Sequence, residues 1–160
     1  MSNAAKIIDA LRAKSWNLAT AESCTGGMVA AAITDVAGSS DVFDRGFVTY
    51  SNLAKRDMLG VVETLIERHG AVSSQVAIAM AEGALLFSKA QISIAITGVA
   101  GPGGGSAEKP VGLVHFATAA YGLPTVHSEM RFGDIGRSGV RARARDFALQ
   151  LVLDQLIALP

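Results

Sequence analysis

The residues with the greatest capacity for chemistry lie in one stretch, T-A-E-S-C-T-G-G, from Thr20 to Gly27. Ser23, Cys24 and Thr25 are three candidate nucleophiles in succession, and Gly26 and Gly27 let another group come close to the backbone. A short apolar segment precedes them and a helix-like run, Met28 to Val36, follows. The first N–H groups of a helix have no internal partner and carry the positive end of its dipole. Such a turn can hold a phosphate or a developing oxyanion. A plain strand-to-helix turn with a hydroxyl N-cap explains the same letters, and they do not choose among the three nucleophiles.

A second candidate is the glycine loop G-V-A-G-P-G-G-G-S, residues 98–106. It lacks the G-K-[ST] ending of a P-loop. It follows a strand but leads into another strand, so it is no dinucleotide fingerprint either. What remains is a side-chain-poor loop whose N–H groups can form an anion-holding concavity.

The run R-G-F-V-T-Y-S-N-L-A-K, residues 45–55, brings Tyr50 near a strand end and Lys55 about one helical turn later. A desolvated lysine gives up its proton readily and can act as a base, and a nearby tyrosine hydroxyl can relay that proton. A half-buried tyrosine and a solvated lysine are the ordinary alternatives. Four arginines, Arg137, Arg141, Arg143 and Arg145, crowd the start of the last helix, the wrong end of the dipole for cations. An anion would offset them at Arg137 and Arg141, since guanidinium suits phosphate; Arg143 and Arg145 read as surface. His69 closes a helix, and His115 and His127 alternate with apolar residues on hairpin strands. No Ser-His-Asp arrangement and no metal-ligand spacing can be assigned, which disfavours a zinc hydrolase.

These groups need a frame, and periodicity supplies one. A helix over residues 4–14 buries Ile7, Ile8 and Leu11; a strand from Trp16 to Ala21 enters the Ser23 turn. A strand from Arg45 to Ser51 follows, then short helices Asn52 to Leu59 and Glu63 to His69. A helix capped by Ser73 or Ser74 runs to Lys89, with Gly83 marking close approach to a neighbour. The uncharged β-branched run Ile92 to Thr97 is a central strand, and Gly112 to Ala119 with Thr125 to Phe132 form a hairpin. Arg137 to Ala158 is the last helix. Crossovers plus a hairpin predict an α/β fold, a mixed sheet covered by helices on both sides. Ligands collect beyond the carboxyl ends of parallel strands, where the Ser23 turn and the glycine loop both fall.

Composition agrees with one domain, residues 1–160, having half its residues apolar and only 18% charged. Charges balance at 14 against 14, so nothing suggests nucleic-acid or membrane capture. The start of the chain lacks a signal-peptide pattern, because Asp9 and Arg12 interrupt it. One cysteine fits a reducing cytoplasm.

Taken together, A-E-S-C-T-G-G, G-F-V-T-Y-S-N-L-A-K, I-T-G-V-A-G-P-G-G-G-S and K-P-V-G-L-V resemble the CinA C-terminal domain family of nicotinamide-nucleotide amidases, in its stand-alone form. The likeness runs from about residue 5 to residue 157. The resemblance implies a three-layer α/β/α sandwich with a mixed, mostly parallel sheet, and assembly as a homodimer or higher homo-oligomer. It implies hydrolysis of nicotinamide mononucleotide to nicotinic acid mononucleotide and ammonia, with no cofactor and no metal. It assigns Ser23 as nucleophile with Lys55 and Tyr50 as partners, directly or through a Tyr50 relay. N–H groups near Thr25, Gly26 and Gly27 would hold the oxyanion, with Cys24 also among the substrate-binding residues; Thr97, Gly98, Gly101, Gly103 and Gly104 would line the nucleotide; Arg137 or Arg141 would meet its phosphate. One departure is G-D-I-G-R ahead of the last helix, where the family usually reads G-D-R. The competing class is a non-catalytic nucleotide- or partner-binding module, and a thiol hydrolase using Cys24 is a third reading.

Overall fold

The computed structural model describes residues 1–160. In chain order it forms α1 (Asn3–Lys14), β1 (Leu18–Glu22), α2 (Met28–Thr34), β2 (Phe43–Val48), α3 (Asn52–Leu59), α4 (Glu63–His69), α5 (Ser74–Leu86), β3 (Ile92–Gly98), β4 (Leu113–Ala120), β5 (Val126–Arg131) and α6 (Arg137–Ala158). A single 3-10 turn, Ser39–Asp41, precedes β2 and has no counterpart in the sequence reading.

Local chemistry explains the boundaries. Ser2, Ser51 and Ser73 each accept an N–H from the first turn of α1, α3 and α5, so Ser73 rather than Ser74 is the cap. Helix α3 stops at Gly60, whose left-handed φ of 68° suits glycine. Helix α5 ends at Leu86, short of Lys89, because the Lys89 N–H donates to Asp44 Oδ2 and the chain turns toward β3.

The strand order is β2-β1-β3-β4-β5. Strands β2 and β3 flank β1 in parallel, while β4 is antiparallel to both β3 and β5. Four strands therefore share one direction, and the sheet is mixed as expected, with helices on both sides.

The two faces of the sheet are built differently. Leu18, Ile92, Ile94, Ile96, Val114 and Phe116 point toward α1, α2 and α6, and their bulk fills that layer. On the other face Ala19, Ala21, Ala95, Ala117 and Ala119 meet Ala77, Ala81 and Ala84 of α5. Small residues on both sides let α5 lie close to the strands. Gly83 extends the pattern outward, since a Cβ there would strike the Leu59 carbonyl. Each large side chain fully buried on the first face contributes about 1.5–3 kcal/mol.

The chain leaves β1 through α2 on one face to reach β2, then crosses by α3, α4 and α5 on the other face to β3. Connections therefore diverge between β1 and β3, which makes a crevice at the carboxyl ends of these strands. The Ser23 turn and the glycine loop meet there.

Candidate active site

Lys55 is the largest side chain withdrawn from solvent, only 1% exposed on the inward face of α3. Its Nζ donates to Ser23 Oγ at 3.1 Å, to the Thr49 carbonyl at 2.9 Å and to the Tyr50 carbonyl at 3.1 Å. No carboxylate is among these partners. Burial pushes the Lys55 pKa down to about 8, with attraction to the Cys24 thiolate opposing the shift. The three acceptors complete the donor set of an ammonium. A neutral amine keeps its two N–H groups on the carbonyls and turns its lone pair toward the Ser23 hydroxyl.

Alternation along β1 separates the neighbours of Ser23. Its hydroxyl faces Lys55, whereas the Cys24 side chain enters the core beneath α2 and α6. Burial drives the thiol up to about 11, against the pull of Arg141 and Lys55, so Cys24 is a poor nucleophile. A raised pKa and a buried side chain, 5% exposed, both count against the thiol-hydrolase reading. His115 Nδ1 and His127 Nε2 lie 2.8 Å apart on β4 and β5 and occupy each other, while the His69 carbonyl accepts from Lys109 Nζ at 2.6 Å.

The turn is held by two groups. Glu22, fully buried, accepts the N–H groups of Val29 at 2.9 Å and Ala30 at 3.1 Å. It thus fills the N-terminus of α2, whose N-cap Gly27 has no side chain to do so. Arg141 Nε donates to the Cys24 carbonyl at 2.9 Å and its Nη2 to the Thr25 carbonyl at 3.3 Å. The expected oxyanion donors need revision here. Gly26 N–H is engaged by the Ser23 carbonyl, while the N–H groups of Cys24, Thr25 and Gly27 have no protein acceptor.

The cavity in front of Ser23 measures about 230 Å³ and is walled by Cys24, Tyr50, Gly98, Gly101, Gly103, Gly104 and Arg137 among others. Along the loop the N–H groups of Ala100, Gly101, Gly103, Gly104 and Gly105 have no protein acceptor, which leaves them free for solvent or an anion. Arg137 opens α6 despite the altered G-D-I-G-R segment. Its Nη1 donates to the Gly101 carbonyl at 2.8 Å and its Nη2 to the Tyr50 hydroxyl at 2.9 Å.

Several expected positions stand elsewhere. Thr97 is buried and donates to the Ala71 carbonyl at 2.8 Å, tying β3 to the α4–α5 link instead of lining the cavity. Thr25, Gly26, Gly27 and Arg141 are not on the cavity wall. The Tyr50 hydroxyl lies on Arg137, so a proton relay through it has no contact with Lys55; only its carbonyl has. Arg143 is exposed and Arg145 pairs with Asp146, both on the surface as read. Sequence reasoning passed over Glu22. Its signal was a lone acid ending an apolar strand, ahead of a helix with no acidic residue in its first turn.

The CinA C-terminal domain family profile matches residues 1–156. The chain is 52% identical over 149 residues to the nicotinamide-nucleotide amidohydrolase PncC of Enterobacter agglomerans, covering 92% of this chain and 90% of that protein. It is 50% identical over 143 residues to a CinA-like protein of Syntrophobacter fumaroxidans, covering 89% of this chain but only 32% of that longer protein. Among solved structures, the competence/damage inducible protein CihA of Agrobacterium tumefaciens superposes with a TM-score of 0.94 at 54% identity, covering 97% of this chain and 93% of that one. By sequence motifs, fold and these matches, the chain belongs to the CinA C-terminal domain family.

Proposed function

We propose that this chain is an amidohydrolase that converts nicotinamide mononucleotide to nicotinic acid mononucleotide and ammonia through a Ser23–Lys55 dyad. The observation that carries the reading is a buried lysine, without an acidic partner, 3.1 Å from a serine hydroxyl at the mouth of a cavity. The amidohydrolase relatives at 52% identity supply the substrate class. Neutral Lys55 takes the Ser23 proton directly, and Ser23 Oγ attacks the carboxamide carbon. The free N–H of Cys24, which lines the cavity, is the first donor to the developing oxyanion. Lys55 returns its proton to the departing amide nitrogen, which leaves as ammonia. Lys55 then draws a proton from water, which hydrolyses the ester on Ser23 and restores both residues. The glycine-loop N–H groups and Arg137 receive the nucleotide phosphate, Arg137 through the guanidinium N–H groups that Gly101 and Tyr50 leave free.

Residues 1–160 act in this scheme as one domain. The protein works in the cytoplasm as a homodimer, in keeping with its single free cysteine and with exposed Val48 and Leu53 beside the site. Ammonia release from nicotinamide mononucleotide by purified protein, lost in Ser23→Ala and Lys55→Ala, tests the reaction. A wild type that binds the nucleotide without releasing ammonia would establish a binding module instead. Light scattering in solution tests the dimer.

A further inference from the structure

The substrate proposed above has an unusual feature for a carboxamide. Its pyridine ring is alkylated on nitrogen by the ribose and carries a positive charge. The carboxamide hangs directly from that ring, so an attack by Ser23 brings the charge within a few ångströms of the cavity wall. Eleven residues form that wall, and none is acidic. One cation, Arg137, lies on it, and the Lys55 amine stands just behind Ser23. By ion pairing alone the site would repel the ring.

The one electron-rich side chain on the wall is Tyr50, the only aromatic there. The residue is 61% exposed, unusual for a tyrosine whose main chain is built into the site. That main chain is anchored before Tyr50 by the Thr49 N–H on the Glu22 carbonyl and after it by Lys55 Nζ on the Tyr50 carbonyl. The hydroxyl is tethered by Arg137 Nη2 at 2.9 Å. Main chain and tip are thus both held, yet most of the residue is left uncovered. A cation within about 6 Å of an aromatic ring centroid is attracted by its quadrupole, more so where water is excluded.

We infer that the Tyr50 ring is the specificity platform for the charged pyridinium, selecting the oxidised nucleotide over its neutral dihydropyridine form. The inference rests on the proposed substrate. It gives Tyr50 a contact with the substrate ring and no part in proton transfer, consistent with a hydroxyl engaged by Arg137 and not by Lys55 or Ser23.

The experiment measures, by calorimetry in a Ser23→Ala background, the affinities for nicotinamide mononucleotide and for its reduced dihydro form. Position 50 is tyrosine, phenylalanine or leucine, and wild-type ammonia release is followed in parallel. With tyrosine or phenylalanine the oxidised form binds about tenfold more tightly than the reduced one, a gap that follows from a partly desolvated cation–π contact. With leucine the ratio falls below about threefold, as expected when only apolar area remains. An unchanged ratio in Tyr50→Leu overturns the inference, and so does a Tyr50→Phe ratio as low as that of leucine, which would put the selectivity in the hydroxyl. Ammonia release with an insensitive ratio removes the platform and leaves the amidase. The expected ratios without ammonia release remove the amidase and leave the platform. Failure of both forms to bind, with no ammonia release, removes both.

Discussion

The two loops that meet at the cavity are opposites in construction. The Ser23 turn is rich in side chains and bolted down: Ser23 N–H lies on the Ile96 carbonyl, Glu22 grips the start of α2, and Arg141 grips the Cys24 and Thr25 carbonyls. The glycine loop has few internal bonds. It is tied at its base, where the Val99 N–H meets the Leu113 carbonyl, and by Arg137 at the Gly101 carbonyl. Reacting groups need fixed geometry, because a small displacement of a nucleophile is costly. A surface that receives a phosphate needs free N–H groups and room to adjust. On the proposed mechanism the contrast is a division between chemistry and capture, and it can be attacked from either side.

The largest effect is expected from removing the proposed base, Lys55, from the bolted half. Lys55→Met lowers kcat by about 10³-fold, within the range for loss of a general base, while nucleotide affinity changes little. The pH dependence has a definite sign. With a pKa of about 8, the fraction of neutral lysine grows nearly tenfold per unit below that pH, so kcat/KM rises along that limb and levels off above it. Stability follows the same group. The folded pKa lies below the unfolded one, so between about pH 8 and the ordinary lysine value near 10.5 the unfolded state holds more protons. Wild type should gain stability relative to Lys55→Met across that window, by chemical denaturation at successive pH values. A flat difference would mean that Lys55 is not buried in its charged form.

The next effects separate holding from capture. Glu22→Ala leaves one buried and one part-buried helix N–H without an acceptor, a loss of about 1–3 kcal/mol. It should lower both Tm and kcat. Arg141→Ala frees the Cys24 and Thr25 carbonyls and should follow the same pattern, with KM near wild type. Arg137→Ala should do the reverse, raising KM about tenfold or more, the cost of a charged hydrogen bond to phosphate, with Tm nearly unchanged. If Arg137→Ala lowers kcat and Arg141→Ala raises KM, the two arginines have been given each other's work.

Much of this frame was legible in the sequence because its causes are local. The bounds of α3, α4 and α6 coincide with their periodicity, and Gly83 announced its close approach to Leu59. The strands were displaced at their ends: β1 starts at Leu18 because Ser15 closes α1 in a left-handed conformation, leaving Trp16 and Asn17 in the connection. The site was less legible. Glu22 reaches N–H groups seven and eight residues ahead, across a turn, so no capping rule finds it. Arg137 and Arg141 are one helical turn apart on the same helix, and only tertiary contacts separate the one on the cavity wall from the one that is not. Ser23 and Lys55 were paired by family resemblance, since residue types alone left three nucleophiles open.

The smallest effect tests the capture loop by stiffening it without displacing anything. Most loop glycines are unsuitable: Gly101 and Gly104 have φ near +80°, and a Cβ on Gly105 would meet the Val111 N at 2.9 Å. Gly103 is different, with no atom within 4 Å of its missing Cβ and a φ outside the left-handed region. Gly103→Ala therefore restricts the unfolded chain more than it disturbs the folded one, and should raise stability by about 0.4–1 kcal/mol. Its N–H stays in place, so any kinetic change comes from lost freedom to close on the phosphate. KM should rise about two- to threefold, a few tenths of a kcal/mol, with kcat held by the untouched Ser23 turn. A fall in kcat at constant KM would show that loop and turn move as one body, and the division between chemistry and capture would be lost.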